Sequence, residues 1–217
     1  LMDNRHQLGP ELSFKILVET ERMARESAEG QALELGWRRD NVTDVSEYDY
    51  MNMVLKKTCW LTTIHPSRMG ALIGTAGRID LDGYIRFGFF LGTAFQIQDD
   101  LLNLEGDAAA YGKENGGDIW EGKRTLMLVH LLRHSTAEEA ARVRDILAQP
   151  RELRQAEEVA WILQQMQEYG CIEYARKVAH GLAGAAQFEF SRLYGCAPDS
   201  RDKKFIESLP AWVIERS

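Results

Sequence analysis

The sequence predicts an all-α bundle, on three observations. Most segments repeat their apolar residues at the helical period, and no alternating strand pattern of useful length occurs. Only 5 of the 217 residues are proline, and apolar residues make up 45% of the chain. Length and apolar content are enough for one domain with a sizeable core, and residues 1–217 are expected to form a single domain.

The elements follow in order. Residues 12–35 carry Phe14, Leu17, Val18, Met23 and Ala24 between charged positions, a helical face. Residues 45–64 start at Thr43, Asp44 or Ser46 as N-cap, with Glu47 in the first turn, and Pro66 ends or kinks the helix. Residues 68–77 and 80–105 read as two further helices. Residues 106–123 lack clean periodicity and hold five glycines, a long loop of the kind that is more often functional than idle. Helices are then expected over 124–134, 137–148, 151–168 and 171–194. A short final helix over 202–216 is expected to be interrupted by Pro210.

Composition narrows the function. A net charge of −7 argues against nucleic acid as a partner. Cys59, Cys171 and Cys196 are an odd number without metal-ligand spacing, which favours a reducing compartment. The longest apolar run, 85–97, is broken by Arg86, Gly88 and Gly92, so no membrane span is expected. No signal-peptide pattern opens the sequence, and a cytoplasmic location is expected. The chain opens on Leu in mid-pattern, and an N-terminal part is expected to be missing.

The chemistry concentrates in Phe95-Gln96-Ile97-Gln98-Asp99-Asp100-Leu101-Leu102-Asn103-Leu104. On a helix Gln96, Asp99, Asp100 and Asn103 stand at i, i+3, i+4 and i+7 and share a face. Adjacent acids are ordinarily a solvated face. Here their neighbours are apolar, and buried carboxylates need a cation to hold them; Mg²⁺ suits such oxygen donors. Lys113 and Lys123 read either as exposed loop lysines or as point charges that capture phosphate beside glycine N–H groups. Lys57-Thr58 reads as a snorkelling lysine and a back-bonding threonine, or as a further ammonium and hydroxyl for the same anion. His130 and His134 are four apart without the intervening glutamate of a zinc protease, and the five tryptophans read as packing anchors.

Together these residues resemble the trans-type polyprenyl diphosphate synthase family, and within it the geranylgeranyl diphosphate synthases. The acidic block resembles the second aspartate-rich motif of that family. Gly30-Gln31-Ala32-Leu33-Glu34-Leu35-Gly36-Trp37 resembles its Gly-Gln block, and Tyr50-Met51-Asn52-Met53-Val54-Leu55-Lys56-Lys57-Thr58 its Lys-Thr block. Asp118-Ile119-Trp120-Glu121-Gly122-Lys123-Arg124-Thr125 resembles its Asp-x-x-Glu-Gly-Lys block.

The resemblance implies an isoprenoid-synthase-type helical bundle around a central apolar cavity. It implies a Mg²⁺-dependent prenyltransferase that condenses isopentenyl diphosphate with an allylic diphosphate, and a homodimer. Residue by residue, Asp99 and Asp100 would bind Mg²⁺. Lys57, Thr58, Gln96, Lys113 and Lys123 would line the allylic diphosphate, and Asp99, Lys57 and Lys113 would drive its ionisation. The family's first aspartate-rich motif is not in the sequence; Asp3, in Leu1-Met2-Asp3-Asn4-Arg5-His6, is placed as its last acid. That departure keeps two alternatives open: a non-catalytic subunit of a heteromeric synthase, and a terpene cyclase on the same scaffold.

Overall fold

Residue patterning translates directly into helices in the computed structural model, which describes residues 4–105 and 116–216. In chain order these are α1 (Asn4–Arg39), α2 (Glu47–Val54), a π-helical segment (Leu55–Ile64), α3 (His65–Gly74), α4 (Gly83–Glu105), α5 (Gly117–Glu121), α6 (Leu126–His134), α7 (Ala137–Ala148), a 3₁₀ turn (Arg151–Leu153), α8 (Ala156–Glu168), α9 (Cys171–Tyr194) and α10 (Arg201–Glu215). No β-strand occurs among the described residues.

Local chemistry accounts for the helix ends. Ser46 caps α2 in a reciprocal capping box with Asp49, and Thr136 caps α7 in another with Glu139. Gly9, at φ 78°, breaks the first turns of α1 just before Pro10.

Several sequence expectations are corrected. Pro66 neither ends nor isolates a helix: α2, the π segment and α3 run on without interruption. The π segment closes with the His65 N–H donating to the Trp60 carbonyl, so Pro66 falls at the change of register, in the first turn of α3, where a missing N–H costs least. Pro210 does not interrupt α10; it is buried inside a continuous helix. The segment 151–168 splits into a 3₁₀ turn and α8, because Arg154 and Gln155 turn extended. The expected loop 106–123 contains α5, bracketed by two left-handed glycines, Gly116 (φ 75°) and Gly122 (φ 68°). Residues 106–115 of that loop lie outside the described part.

The π segment and α4 form the centre of the bundle. α9 packs along one side of α4, the π segment along another, and α1 covers the π segment. Glycines set these distances. A Cβ on Gly88 would stand 2.8 Å from the main chain of Ile64, and one on Gly92 2.8 Å from Cys59 Sγ. Gly88 and Gly92 therefore seat α4 against the π segment, while Gly83 faces Leu193 of α9. The main core collects Tyr50, Ile64, Ile97, Leu101, Leu126, Leu131 and Ile162, all buried.

One buried ion pair staples α1 to α3. Arg68, 3% exposed, donates to both oxygens of Glu19 at 2.7 Å and to the Leu81 carbonyl. The Arg68 hydrogen bonds hold the Glu19 carboxyl below its ordinary value against the opposing effect of burial. A depressed folded-state value means that this stabilisation is fully present above about pH 4.5 and is lost as pH falls through the folded value. Glu19→Gln is expected to cost about 3 kcal/mol at pH 7, since it leaves a buried guanidinium with only the exposed Asp82, 3.7 Å away, as a carboxylate partner. In urea melts, the loss of stability between pH 5.5 and 3.5 should be smaller in the variant than in the parent chain; an equal loss would reject the assignment.

Candidate active site

Gln96, Asp100 and Asn103 form the polar stripe of α4, and each has a different partner. Thr58 Oγ1, on the π segment, donates to Gln96 Oε1 at 2.8 Å, and Gln96 Nε2 donates to Asp100 Oδ1 at 2.9 Å. Asn103 Oδ1 accepts the main-chain N–H of Asp118 at 2.9 Å, and its carbonyl accepts that of Gly116 at 3.1 Å. Asn103 therefore pins α5 onto α4.

Asp100 is 1% exposed and fully engaged by the protein. Lys123 Nζ donates to Oδ1 at 2.7 Å, beside Gln96, and Tyr50 OH donates to Oδ2 at 3.3 Å. Burial raises its carboxyl to about 6, against the pull of Lys123, so it is ionised at neutral pH. Burial works against the charge on Lys123, but the carboxylates of Asp100 and Asp118 outweigh it and hold the ammonium above the ordinary lysine range. Lys123 Nζ also reaches Asp118 Oδ2 at 3.3 Å, which uses two of its three donors. The Asp118 carboxyl is raised, first by burial and further by the charges of Glu121 and Asp99, with Lys123 opposing.

Asp99 differs from its neighbour. The sequence treated the two acids as one buried pair, but the Asp99 side chain is 50% exposed. The partner resolved beside it is Arg216, whose Nη2 lies 3.5 Å from Oδ1 and donates to the Phe95 carbonyl at 3.0 Å. The Arg216 guanidinium also stacks 4.0 Å from the Phe95 ring, and its Nε is buried without a partner among the described residues. No periodicity in the sequence links position 216 to position 99; only the return of α10 across α4 does so.

Lys57 lies on the other side of the network. Its Nζ meets Glu34 Oε2 at 2.5 Å, and Glu34 is 4% exposed with Oε1 unpartnered among the described residues. Gly30 makes this contact possible, because a Cβ there would stand 2.2 Å from the Lys57 nitrogen. Gly30 and Glu34 are i and i+4, so one face of α1 supplies both the close approach and the counter-charge. Glu34 sits inside the Gly-Gln block, and that spacing was its legible signal. The π register points Lys57 at α1 and the adjacent Thr58 at α4, a use of π geometry common at functional sites.

Two expected site residues, Lys113 and Asp3, lie outside the described residues. Among the described residues no group of three or more His, Cys, Asp or Glu side chains is placed to hold a metal. Mg²⁺ commonly takes only one or two carboxylates and completes its shell with water and substrate phosphate. Asp99, exposed and free of strong donors, and Asp118, close enough to feel its charge, fit that demand. Asp100 does not, because both its oxygens already accept from the protein. His130 and His134 stack on each other, 4.0 Å between centroids, and His130 stacks on Tyr174, so they are packing residues. An apolar cavity of about 710 Å³ lined by Tyr84, Phe87, Leu91, Tyr194, Phe205 and Leu209 opens on the face of α4 opposite Gln96.

The helical bundle and its carboxylate–lysine network define a protein of the all-α isoprenoid-synthase fold class. The chain belongs to the polyprenyl synthetase family, whose model matches residues 6–166. It is 36% identical over 151 residues to a short chain isoprenyl diphosphate synthase of Methanothermobacter thermautotrophicus, covering 70% of this chain and 44% of that protein. It is 34% identical over 174 residues to an octaprenyl diphosphate synthase of Escherichia coli, covering 80% and 52%. The chain thus spans about half the length of the curated relatives it matches. The geranylgeranyl pyrophosphate synthase of Corynebacterium glutamicum, solved with isoprenyl diphosphate and magnesium, superposes with a TM-score of 0.82 at 25% identity, over 97% of this chain and 57% of that one. The geranylgeranyl pyrophosphate synthetase of Pyrococcus horikoshii superposes with a TM-score of 0.79 at 26% identity, over 96% and 60%. No helix among the described residues is long and apolar enough to cross a membrane.

Proposed function

We propose that this chain supplies the diphosphate-binding half of a Mg²⁺-dependent prenyltransferase, which condenses an allylic diphosphate with isopentenyl diphosphate into a short-chain prenyl diphosphate. The observation that carries the reading is the continuous polar chain Thr58–Gln96–Asp100–Lys123–Asp118, with exposed Asp99 beside it and Lys57 at its edge.

Lys57 and Lys123 each sit against a carboxylate more buried than themselves, which holds the ammonium in place while leaving donors for an anion. Thr58 and Gln96 fix the spacing between the two cations. Asp99, with Asp118 near it, would hold Mg²⁺, which when bound neutralises charge developing on a departing diphosphate. Asp100 keeps Lys123 charged and in place. Lys113 is assigned to the same diphosphate and Asp3 to the metal on the family resemblance.

The free thiols Cys59, Cys171 and Cys196 support a reducing, cytoplasmic location. Exposed Phe14, Leu17 and Val18 on α1 support a homodimer that buries that face. The deciding experiment incubates the protein with Mg²⁺, isopentenyl diphosphate and an allylic diphosphate and identifies the products. A longer prenyl diphosphate is expected. A cyclic hydrocarbon would assign a terpene cyclase instead. No turnover, with binding to a second synthase, would assign a non-catalytic subunit.

A further inference from the structure

Two buried arginines lie behind the network, and nothing in the proposed chemistry uses them. Arg154 is 8% exposed and Arg124 2%. Their hydrogen bonds among the described residues go to neutral oxygens, with no carboxylate acceptor. Arg154 donates to the Ile119 carbonyl at 3.0 Å and to that of Trp120, in the last turn of α5. It also donates to the Leu147 carbonyl at 2.9 Å and the Ile146 carbonyl at 3.3 Å, in the last turn of α7. One planar fork thus caps the carbonyl ends of two helices, where the Ile119 and Ile146 carbonyls also accept main-chain N–H groups. Arg124 donates to the Val42 carbonyl at 2.8 Å, to Asn41 Oδ1 at 2.7 Å and to the Gly122 carbonyl.

The two guanidiniums converge on Gly122. A Cβ there would stand 3.0 Å from Arg154 Nη2 and 3.3 Å from Arg124 Nη1, and its φ of 68° already favours glycine. Burial and the neighbouring Arg154 together pull Arg124 down to about 10, so the two cations are held side by side at an electrostatic cost. A protein that buries two like charges against one turn gains something from fixing that turn. The residues it fixes are Asp118 and Lys123, whose own main chains bond to each other at 2.9 Å.

We propose that Arg154 and Arg124 are positioning residues that clamp the 116–123 turn so that Lys123 meets both Asp100 and Asp118. They touch no substrate and act through Lys123. The consequence for diphosphate binding rests on the function proposed above; the clamp itself does not.

The test is a double-mutant cycle of Arg154→Gln with Lys123→Ala, read by calorimetric titration of inorganic diphosphate with Mg²⁺. Arg154→Gln is expected to weaken binding about tenfold in the parent chain and less than about twofold when Lys123 is already removed. Arg154→Lys is expected not to rescue it, because a single ammonium cannot bridge both helix ends. Additive losses, or full rescue by lysine, would overturn the proposal. Hydrogen exchange supplies the independent readout: amides of 118–123 should lose protection in Arg154→Gln while those of 84–95 keep it, and uniform loss would mean only global destabilisation. If Arg154→Gln does not fold, Gly122→Ala, which leaves both arginines in place, should show the same local loss; its absence counts against the clamp. If Lys123→Ala leaves diphosphate binding unchanged, the functional reading fails, and the exchange pattern still decides the clamp.

Discussion

Asp99→Asn is expected to leave stability within about 0.5 kcal/mol of the parent chain and to abolish Mg²⁺-dependent diphosphate binding, a loss of at least about a hundredfold. Asp100→Asn, one residue on, is expected to do the reverse in its first effect: to cost roughly 3 kcal/mol of stability, because it leaves the buried Lys123 ammonium with only the longer Asp118 contact, 3.3 Å away. The reasoning is geometric. Asp99 is half exposed and its partner Arg216 is 3.5 Å away, a weak pair whose loss the fold tolerates. Asp100 accepts from Lys123, Gln96 and Tyr50 in the interior. Urea denaturation and calorimetric titration of inorganic diphosphate, each with and without Mg²⁺, separate the two outcomes. Unchanged diphosphate affinity in Asp99→Asn would reject the metal assignment, and an Asp100→Asn protein as stable as its parent would reject the ion-pair account.

Gly30→Ala is expected to be the most damaging glycine-to-alanine change among the described residues. Its Cβ would lie 2.2 Å from the Lys57 nitrogen and 2.6 Å from its Cα, and both are main-chain atoms that no rotamer change can move. α1 would have to lift off the π segment, at a cost of about 3 kcal/mol or more. Lys57 would separate from Glu34, so diphosphate binding should weaken together with the fall in thermal midpoint. Gly36→Ala is the control: its Cβ meets nothing within 4 Å, and helix propensity alone should make the change neutral or slightly stabilising. A Gly30→Ala protein with parental melting would show that the helices are not in the contact described.

Helices α7 and α9 were legible to the residue, because Thr136 and the left-handed Gly170 mark their starts and a clean apolar period fills them. The π segment was not legible. Its composition is ordinary for a helix, and its register depends on Gly88 and Gly92 letting α4 press against it. α5 was lost in the expected loop because five residues are too few to show a period; tertiary hydrogen bonds from Asn103 and Arg154 hold it. Lys57, Thr58, Gln96, Asp100 and Lys123 were all named from sequence; hydrogen bonds join Thr58, Gln96, Asp100 and Lys123, while Lys57 pairs apart from them with Glu34. Glu34, Arg154 and Arg216 were given no role, since Glu34 meets Lys57 23 residues away, Arg154 bridges partners 7 to 35 residues away and Arg216 meets Asp99 117 residues away.

Sequence by itself determined the fold class, the family and the candidates Thr58, Gln96, Asp100 and Lys123, because those depend on residue type and local spacing. It could not divide the labour between Asp99 and Asp100. Adjacent residues on a helix point about 100° apart, and which of the two faces inward depends on what the rest of the chain packs against α4. Tyr50 and Lys123 arrive on one side and enclose Asp100, and α10 returns on the other and leaves Asp99 half exposed beside Arg216. The tertiary structure thus turned a pair of equivalent acids into one enclosed by the network and one half exposed to solvent.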